Sequence, residues 1–189
     1  SVVYEAAAPH FVPQPEARVE EVRARYGLPQ RYLLTVGTIE PRKNLARLVE
    51  ALSILRRDDP GLALVVVGSA GWQMESFFEA IEAFGQQDAV LRPGYIPDAD
   101  LPAVYAGATV GVLASVYEGF GRPVLEAMAC GAQIACSRTS SVGEIAGDAA
   151  LTFDPESVEE MTGALRRLLD SPALRDQMPQ PGYAQAAQF

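Results

Sequence analysis

The chain has 189 residues, of which 49% are hydrophobic and 21% charged, and it carries a formal net charge of −9. This length and apolar content suit one α/β domain with a real core. The acidic balance argues against a nucleic-acid groove or an anionic membrane face, since both want a basic patch. A small anionic ligand stays open, because charges beyond about 8 Å are largely screened at physiological salt and local geometry outweighs the total.

In chain order, residues 1–30 form a lead-in: VVY at 2–4 reads as a short strand, and 16–26 as a helix that Gly27 caps. Short apolar runs then alternate with helix-period segments. Strands are expected at 32–37 (YLLTVG), 62–68 (LALVVVG), 109–115 (TVGVLAS), 132–137 (AQIACS) and 150–154 (ALTFD). Their unbroken apolarity implies burial on both faces, as in a parallel sheet. Helices are expected at 44–57, 73–84, 100–106, 123–129 and 157–170, the last opened by Ser157 with Glu160 three residues on in a capping-box pattern. The tail 171–189 is weakly patterned and interrupted by prolines, with 182–189 as a short last helix. This alternation predicts an α/β fold: a Rossmann-like doubly wound parallel sheet with helices on both faces and right-handed crossovers. No repeat or linker divides the chain, so 1–189 reads as a single domain with its core at 31–170.

Several chemistries lack their residues. One histidine, His10, and two cysteines, Cys130 and Cys136, without a CxxC spacing, leave no zinc site. A Ser-His-Asp hydrolase would need His10 as its base, and nothing nearby supports that. The thiols stand in apolar runs and read as buried groups of a reducing compartment. No apolar run approaches the roughly 20 residues of a membrane span, and the start SVVYEAAAP lacks the basic opening of a signal peptide.

In doubly wound sheets ligands sit at the carboxyl ends of the strands. The loops there are GTIEPRKN, GSAGWQ, the stretch 94–98, SVYEGFGRP and SRTSSVGE, each rich in Gly, Ser, Thr or charge. GSAGWQ fails the GxGxxG pattern, which weakens a dinucleotide oxidoreductase. The stretch 115–131, SVYEGFGRPVLEAMACG, carries the most chemistry. Its glycines allow close approach of backbone to a ligand, and Pro123 suits the first position of a helix. Amides from Gly121 to Leu125 then open a helix, which favours a phosphate or diphosphate. Glu126 lies about one turn inside that helix, where a carboxylate beside a diphosphate can accept hydrogen bonds from a ribose diol. Glu118 lies before the turn, where a second polyol would sit. Two glutamates eight positions apart also arise by chance, and a solvated helix residue is the competing reading of Glu126.

The stretch from Glu118 to Glu126 resembles the Glu-x7-Glu motif of the family-four retaining glycosyltransferases, which have GT-B architecture. GTIEPRKNLARLVEAL, GYIPDADLPAVYAGA and SSVGEIAGDAALTFDP resemble the same family's other blocks in the same order. The resemblance implies the carboxyl-terminal, donor-binding half of such an enzyme, with the amino-terminal acceptor domain absent. It implies that a nucleoside-diphosphate sugar, GDP- or UDP-linked, is the substrate, with no cofactor and no metal. By the same resemblance, Glu126 binds the ribose hydroxyls and Glu118 lies near the donor sugar. The amides of Phe120 and Gly121 meet sugar or phosphate, and those of Val124 and Leu125 meet the diphosphate. Lys43 is the phosphate lysine of the Gly37–Thr38 loop, and the backbone of Ile96 reads the base edge. GTIEPRKN resembles members that act in surface polysaccharide assembly with GDP-mannose; base and sugar stay open. The resemblance further implies a cytoplasmic enzyme whose contact with the inner face of the membrane belongs to the absent half.

The departures are specific. Thr38 stands where the family commonly has arginine, which leaves Arg42 as the substitute second cation or as a solvated helix-entry residue. Arg122 and Gln133 replace smaller or less polar residues and are not expected to touch the ligand directly. Arg138 and Glu144 are expected to form a surface ion pair. The rivals are an epimerase or phosphorylase on the same architecture, and a non-catalytic or regulatory Rossmann-like module.

Overall fold

The computed structural model describes residues 4–189, backbone only at 172, 175 and 176. The lead-in helix α1 is Glu16–Tyr26, ended by Gly27 in the left-handed region, whose N–H bonds back to Ala24. Six strands follow: β1 Tyr32–Val36, β2 Ala63–Val67, β3 Val90–Gly94, β4 Val110–Leu113, β5 Ile134–Ser137 and β6 Leu151–Phe153. They form one fully parallel sheet in the order β3-β2-β1-β4-β5-β6. The chain order reverses between β1 and β4, so the loops leaving these neighbouring strands diverge and open a crevice there.

The helices between strands are α2 Leu45–Leu55, α3 Glu75–Ala83, α4 Leu101–Ala106, α5 Arg122–Ala129 and α6 Ser140–Ala146, followed by α7 Val158–Asp170. Alternate residues of each strand feed opposite faces. On one face Leu33, Leu64 and Val112 pack with Leu48 and Leu52 of α2, Phe77 of α3 and Leu165 of α7. On the other, Leu34, Val65 and Cys136 pack with Tyr105 of α4, Leu125 and Met128 of α5 and Ile145 of α6. Two helices close the chain, α8 Pro172–Gln177 and α9 Pro179–Ala186, with α9 lying against α5.

The five expected strands are present, and β3 is one more. Its sequence VLRPG holds an arginine and a proline and is only half buried at the sheet edge, so it lacks the apolar run that marks the others. SRTSSVGE, expected as a loop, turns into α6. The prolines of the tail start helices rather than interrupt them: Pro172 and Pro179 occupy first-turn positions, and the last helix begins at Pro179 and not at Gly182. Ser157 accepts the Glu160 N–H at 3.1 Å, but the Glu160 carboxylate takes the Asp154 N–H, so half of the capping box forms. Of the expected strand at 2–4, Tyr4 is irregular and the rest lies outside the described residues.

One polar cluster locks α1 to α4, which in turn carries Tyr105. Asp100, 5% exposed, takes the Tyr26 hydroxyl at 2.6 Å and Arg25 at 2.8 Å, and pairs with Arg18. The Tyr26 hydrogen bond, opposed by burial and aided by the two arginines, holds the Asp100 carboxyl below its usual range. The stability it contributes is therefore present above the ordinary carboxylate range and is lost as pH falls through the lowered value. Asp100→Asn should lower stability by about 1–3 kcal/mol at neutral pH, several degrees of Tm for a chain this size. Thermal unfolding at neutral and acid pH would check this; an unchanged Tm at neutral pH would show the cluster to be idle.

Candidate functional site

The loop that leaves β1 is fixed from three sides. Gly37 donates to Val67 O at 2.9 Å and Ile39 to Ser69 O at 3.1 Å, so it runs beside the loop after β2. A 3₁₀ turn, Pro41–Lys43, ends at Asn44 in the left-handed region. The Asn44 side chain then donates to Ala114 O at 3.1 Å and Pro155 O at 2.7 Å, tying the loop to the ends of β4 and β6. Arg42 O accepts the Val116 N–H at 2.9 Å. These bonds bring Arg42 and Lys43 onto the turn after β4.

There they meet Glu118. Lys43 Nζ lies 2.6 Å from Glu118 Oε1, the Ser115 hydroxyl donates to the same oxygen at 2.7 Å, and Arg42 pairs with Oε2. Glu118 and Lys43 are both under 9% exposed. Burial by itself would push the Glu118 carboxyl up. Hydrogen bonds from Lys43 and Ser115, with the cations' charge, outweigh it and hold the group below its usual range, ionised at neutral pH. From α6 the Ser140 hydroxyl accepts the Glu118 N–H at 3.1 Å, while Ser141 donates to the carbonyls of Glu118 and Phe120 at 3.0 and 2.7 Å.

The turn enters α5 through Gly121, whose φ of 114° is open to glycine and costly for other residues. Arg122 and Pro123 form the first turn. The Val124 N–H already donates to Gly121 O at 2.9 Å, so this expected diphosphate donor is engaged within the turn. The side chains of Val124 and Leu125 are fully buried. Glu126 is 8% exposed and sits between α4 and α5, accepting from the fully buried Tyr105 hydroxyl at 2.8 Å on Oε2, with Arg122 Nε 3.9 Å from Oε1. Burial raises its carboxyl, and the Tyr105 hydrogen bond and Arg122 offset part of that rise.

A cleft of about 380 Å³ opens at the switch point and gathers Gly37, Thr38, Arg42, Lys43 and Glu126. Glu118 does not line it; it stands behind the two cations. Phe120 leans on the rings of Tyr4 and Phe189, and the Ile96 side chain is core at 1% exposure. Sequence reasoning left out Tyr105 and Ser115 and set Arg122 apart from the ligand. Ser115, three residues before Glu118 at the end of an expected strand, was the most legible of them. Arg122, expected to stay clear of the ligand, lines the cleft beside Glu126 and pairs with Glu5 as well. His10 and Asp98 line it too. Arg138 pairs with Glu160 and Asp154 rather than with Glu144, which instead accepts from the Tyr4 hydroxyl, because α6 carries Glu144 toward the lead-in segment. The thiols of Cys130 and Cys136 are both buried and pushed up to about 12, which leaves them unreactive. Among the described residues no His, Cys, Asp and Glu side chains converge as a metal site, and no helix is long and apolar enough to cross a membrane.

Residues 19–185 match the family model described as glycosyl transferases group 1. The chain is 36% identical over 186 residues to the O-antigen chain mannosyltransferase B of Escherichia coli, covering 97% of this chain and 49% of that protein. It is 33% identical to the MMP alpha-(1->4)-mannosyltransferase of Mycolicibacterium hassiacum over 78% of its own length and 36% of the relative's. The chain thus spans half or less of the length of these curated relatives. Among solved structures it resembles the isolated C-terminal domain of a group 1 glycosyl transferase (LpcC) from Francisella tularensis, with a TM-score of 0.82 at 23% identity over 97% of both chains. Anabaena HepE, solved with UDP and glucose, superposes with a TM-score of 0.87 at 19% identity, over all of this chain and 52% of that one. At these identities the structural likeness speaks for the fold: one half of a two-domain GT-B architecture.

Proposed function

Since the chain belongs to the group 1 glycosyl transferases, we propose that its cleft holds the nucleoside-diphosphate sugar of a retaining hexosyltransferase. The observation that carries this is the convergence of Lys43 and Arg42, from the loop after β1, on the start of α5, one turn from a buried carboxylate in the same cleft. In transfer, the bond between the anomeric carbon and the diphosphate breaks, a bond to an acceptor oxygen forms on the same face, and negative charge collects on the leaving group. Lys43, Arg42 and the amide-rich, electropositive start of α5 meet that charge, so the protein itself supplies the stabilisation and magnesium is dispensable. Glu126 takes the ribose diol. Glu118, already ionised, stands behind Lys43 and Arg42 and holds both in place toward the donor. The amides of Phe120 and Gly121 meet the sugar or phosphate and that of Leu125 meets the diphosphate, while the Val124 N–H stays with Gly121 O. The Ile96 backbone lies toward the base.

The relatives' names support mannose as the hexose transferred, and UDP in the HepE structure keeps uracil open beside guanine. The acceptor belongs to the part of the relatives that this chain does not cover, as does any membrane contact of a cytoplasmic enzyme. The chain by itself should therefore bind donor without transferring sugar.

Melting the 189-residue chain with GDP, UDP and ADP, with and without magnesium, tests the reading. A nucleotide at a hundred times its Kd adds about 2.7 kcal/mol, or roughly 5–10 °C of Tm. One base should stand out, with or without the metal. If no nucleoside diphosphate moves Tm at millimolar concentration, a non-catalytic module is the better account.

A further inference from the structure

We propose that Tyr105 is a positioning residue for the nucleotide: its hydroxyl holds one oxygen of the Glu126 carboxylate and turns the other toward the cleft to receive the ribose diol. This rests on the reading of the cleft as a nucleotide site. Tyr105 is 2% exposed on α4, a helix whose first residue, Leu101, reaches the cleft, and its hydroxyl reaches Glu126 Oε2 at 2.8 Å across the α4–α5 interface. Oε1 is left on the side of Arg122, which lines the cleft. A buried phenol needs a partner for its hydroxyl, and here it has one partner that also faces the ligand. The bond does two things. It fixes the carboxylate's rotation, so that a ribose meets a preset acceptor rather than a mobile one. It also favours the ionised form of a group that burial drives toward protonation.

The other charges facing Glu126 are Arg122 on its own helix, Asp98 ahead of α4 and His10 of the lead-in segment, with the Cys130 thiol one turn further along α5. Arg122 and protonated His10 favour the carboxylate; Asp98 opposes it. Because these charges all bear on Glu126, the comparison has to be made between variants at the same pH.

Tyr105→Phe keeps the ring in the core and removes the donor. Binding of GDP and UDP to the wild-type chain and to this variant would be measured from about pH 5.5 to about pH 8.5, with inorganic pyrophosphate as a second probe. The variant should bind the preferred nucleotide about tenfold more weakly at neutral pH. The gap should widen as pH falls, because the carboxyl of the variant protonates earlier, and narrow as pH rises. Pyrophosphate, which has no ribose, should bind both alike. Equal nucleotide affinity at every pH, or an equal loss for pyrophosphate, would overturn the assignment while leaving the nucleotide site standing. A wild-type chain that takes up neither nucleotide would remove both. If Tyr105→Phe does not fold, Glu126→Gln and the double variant Tyr105→Phe/Glu126→Gln, which bury no charge, replace it. These two should bind nucleotide equally, and a further loss in the double variant counts against the proposal.

Discussion

Lys43→Met should cost the chain about 100-fold or more in nucleoside-diphosphate affinity and about 2–3 kcal/mol of stability. Both effects come from one atom. Nζ is the buried cation of the cleft and also the closest partner of Glu118 Oε1, at 2.6 Å. Methionine fills the same channel under Gly37 without charge. The diphosphate loses a charge-assisted donor, and the Glu118 carboxylate, still 7% exposed, keeps only Ser115 and Arg42 as partners. Lys43→Arg would retain the charge but not the shape: a broad planar fork would replace a compact ammonium that meets Glu118 Oε1 at 2.6 Å. It should recover stability less than charge alone would suggest. The pH dependence separates the two roles. Glu118 is depressed in the folded chain, so its contribution is present above the ordinary carboxylate range and vanishes as pH falls through the lowered value. Lys43→Met shrinks that contribution. The Tm gap between wild type and variant should be widest at neutral pH and should close as pH falls through the lowered Glu118 value. A gap that stays constant into acid would mean that Lys43 stabilises by packing alone, and an unchanged nucleotide Kd would remove it from the site.

The sequence made the sheet legible wherever a strand is buried on both faces. LALVVVG announces β2 because every residue from Ala63 to Val67 is core. It did not announce β3, whose edge position relieves Arg92 and Pro93 of any need to be apolar. SSVGEIA reads as loop by propensity, yet α6 forms because Val142 and Ile145 bury completely and Gly143 lets the helix ride against the backbone of Arg138. Local preference lost there to packing. The site divides along the same line. An amide-rich helix start could be read from EGFGRP, and the proposed roles of Lys43 and Glu118 came from resemblance. Their mutual clamp could not, since 75 residues separate them and only the pairing of β1 with β4 brings the loops together. Tyr105 was hidden for a related reason: at position 105 it reads as one more apolar residue of a short helix, and its hydroxyl acquires meaning only when α4 meets α5.

The close run of the loops after β1 and β2 makes Gly68, packed on Gly37 of the cleft, an exacting backbone position. It ends β2 with φ of 143°, and a Cβ there would sit 2.6 Å from the Gly37 carbonyl carbon and nearer still to its oxygen. The obstacle is backbone, held by the Gly37 to Val67 bond on one side and the Gly68 to Gly94 bond on the other, so neither loop can yield without opening the sheet end. Gly68→Ala should therefore cost about 3 kcal/mol or more, adding a clash to an unfavourable φ, and should lower Tm by roughly 6–12 °C. Gly85→Ala is the matched control. Gly85 also has positive φ, 64°, but nothing lies within 4 Å of where its Cβ would go. It carries the conformational cost without the clash, about 1–2 kcal/mol. The difference between the two variants isolates the closeness of the loops. Because the displaced strand of backbone is the one that carries Gly37, Thr38 and Lys43, Gly68→Ala should also weaken nucleotide binding in whatever fraction stays folded, while Gly85→Ala should leave it intact. Two variants of equal stability would show that the loops after β1 and β2 have room to separate, and that the phosphate loop owes its shape to Asn44 and Glu118 alone.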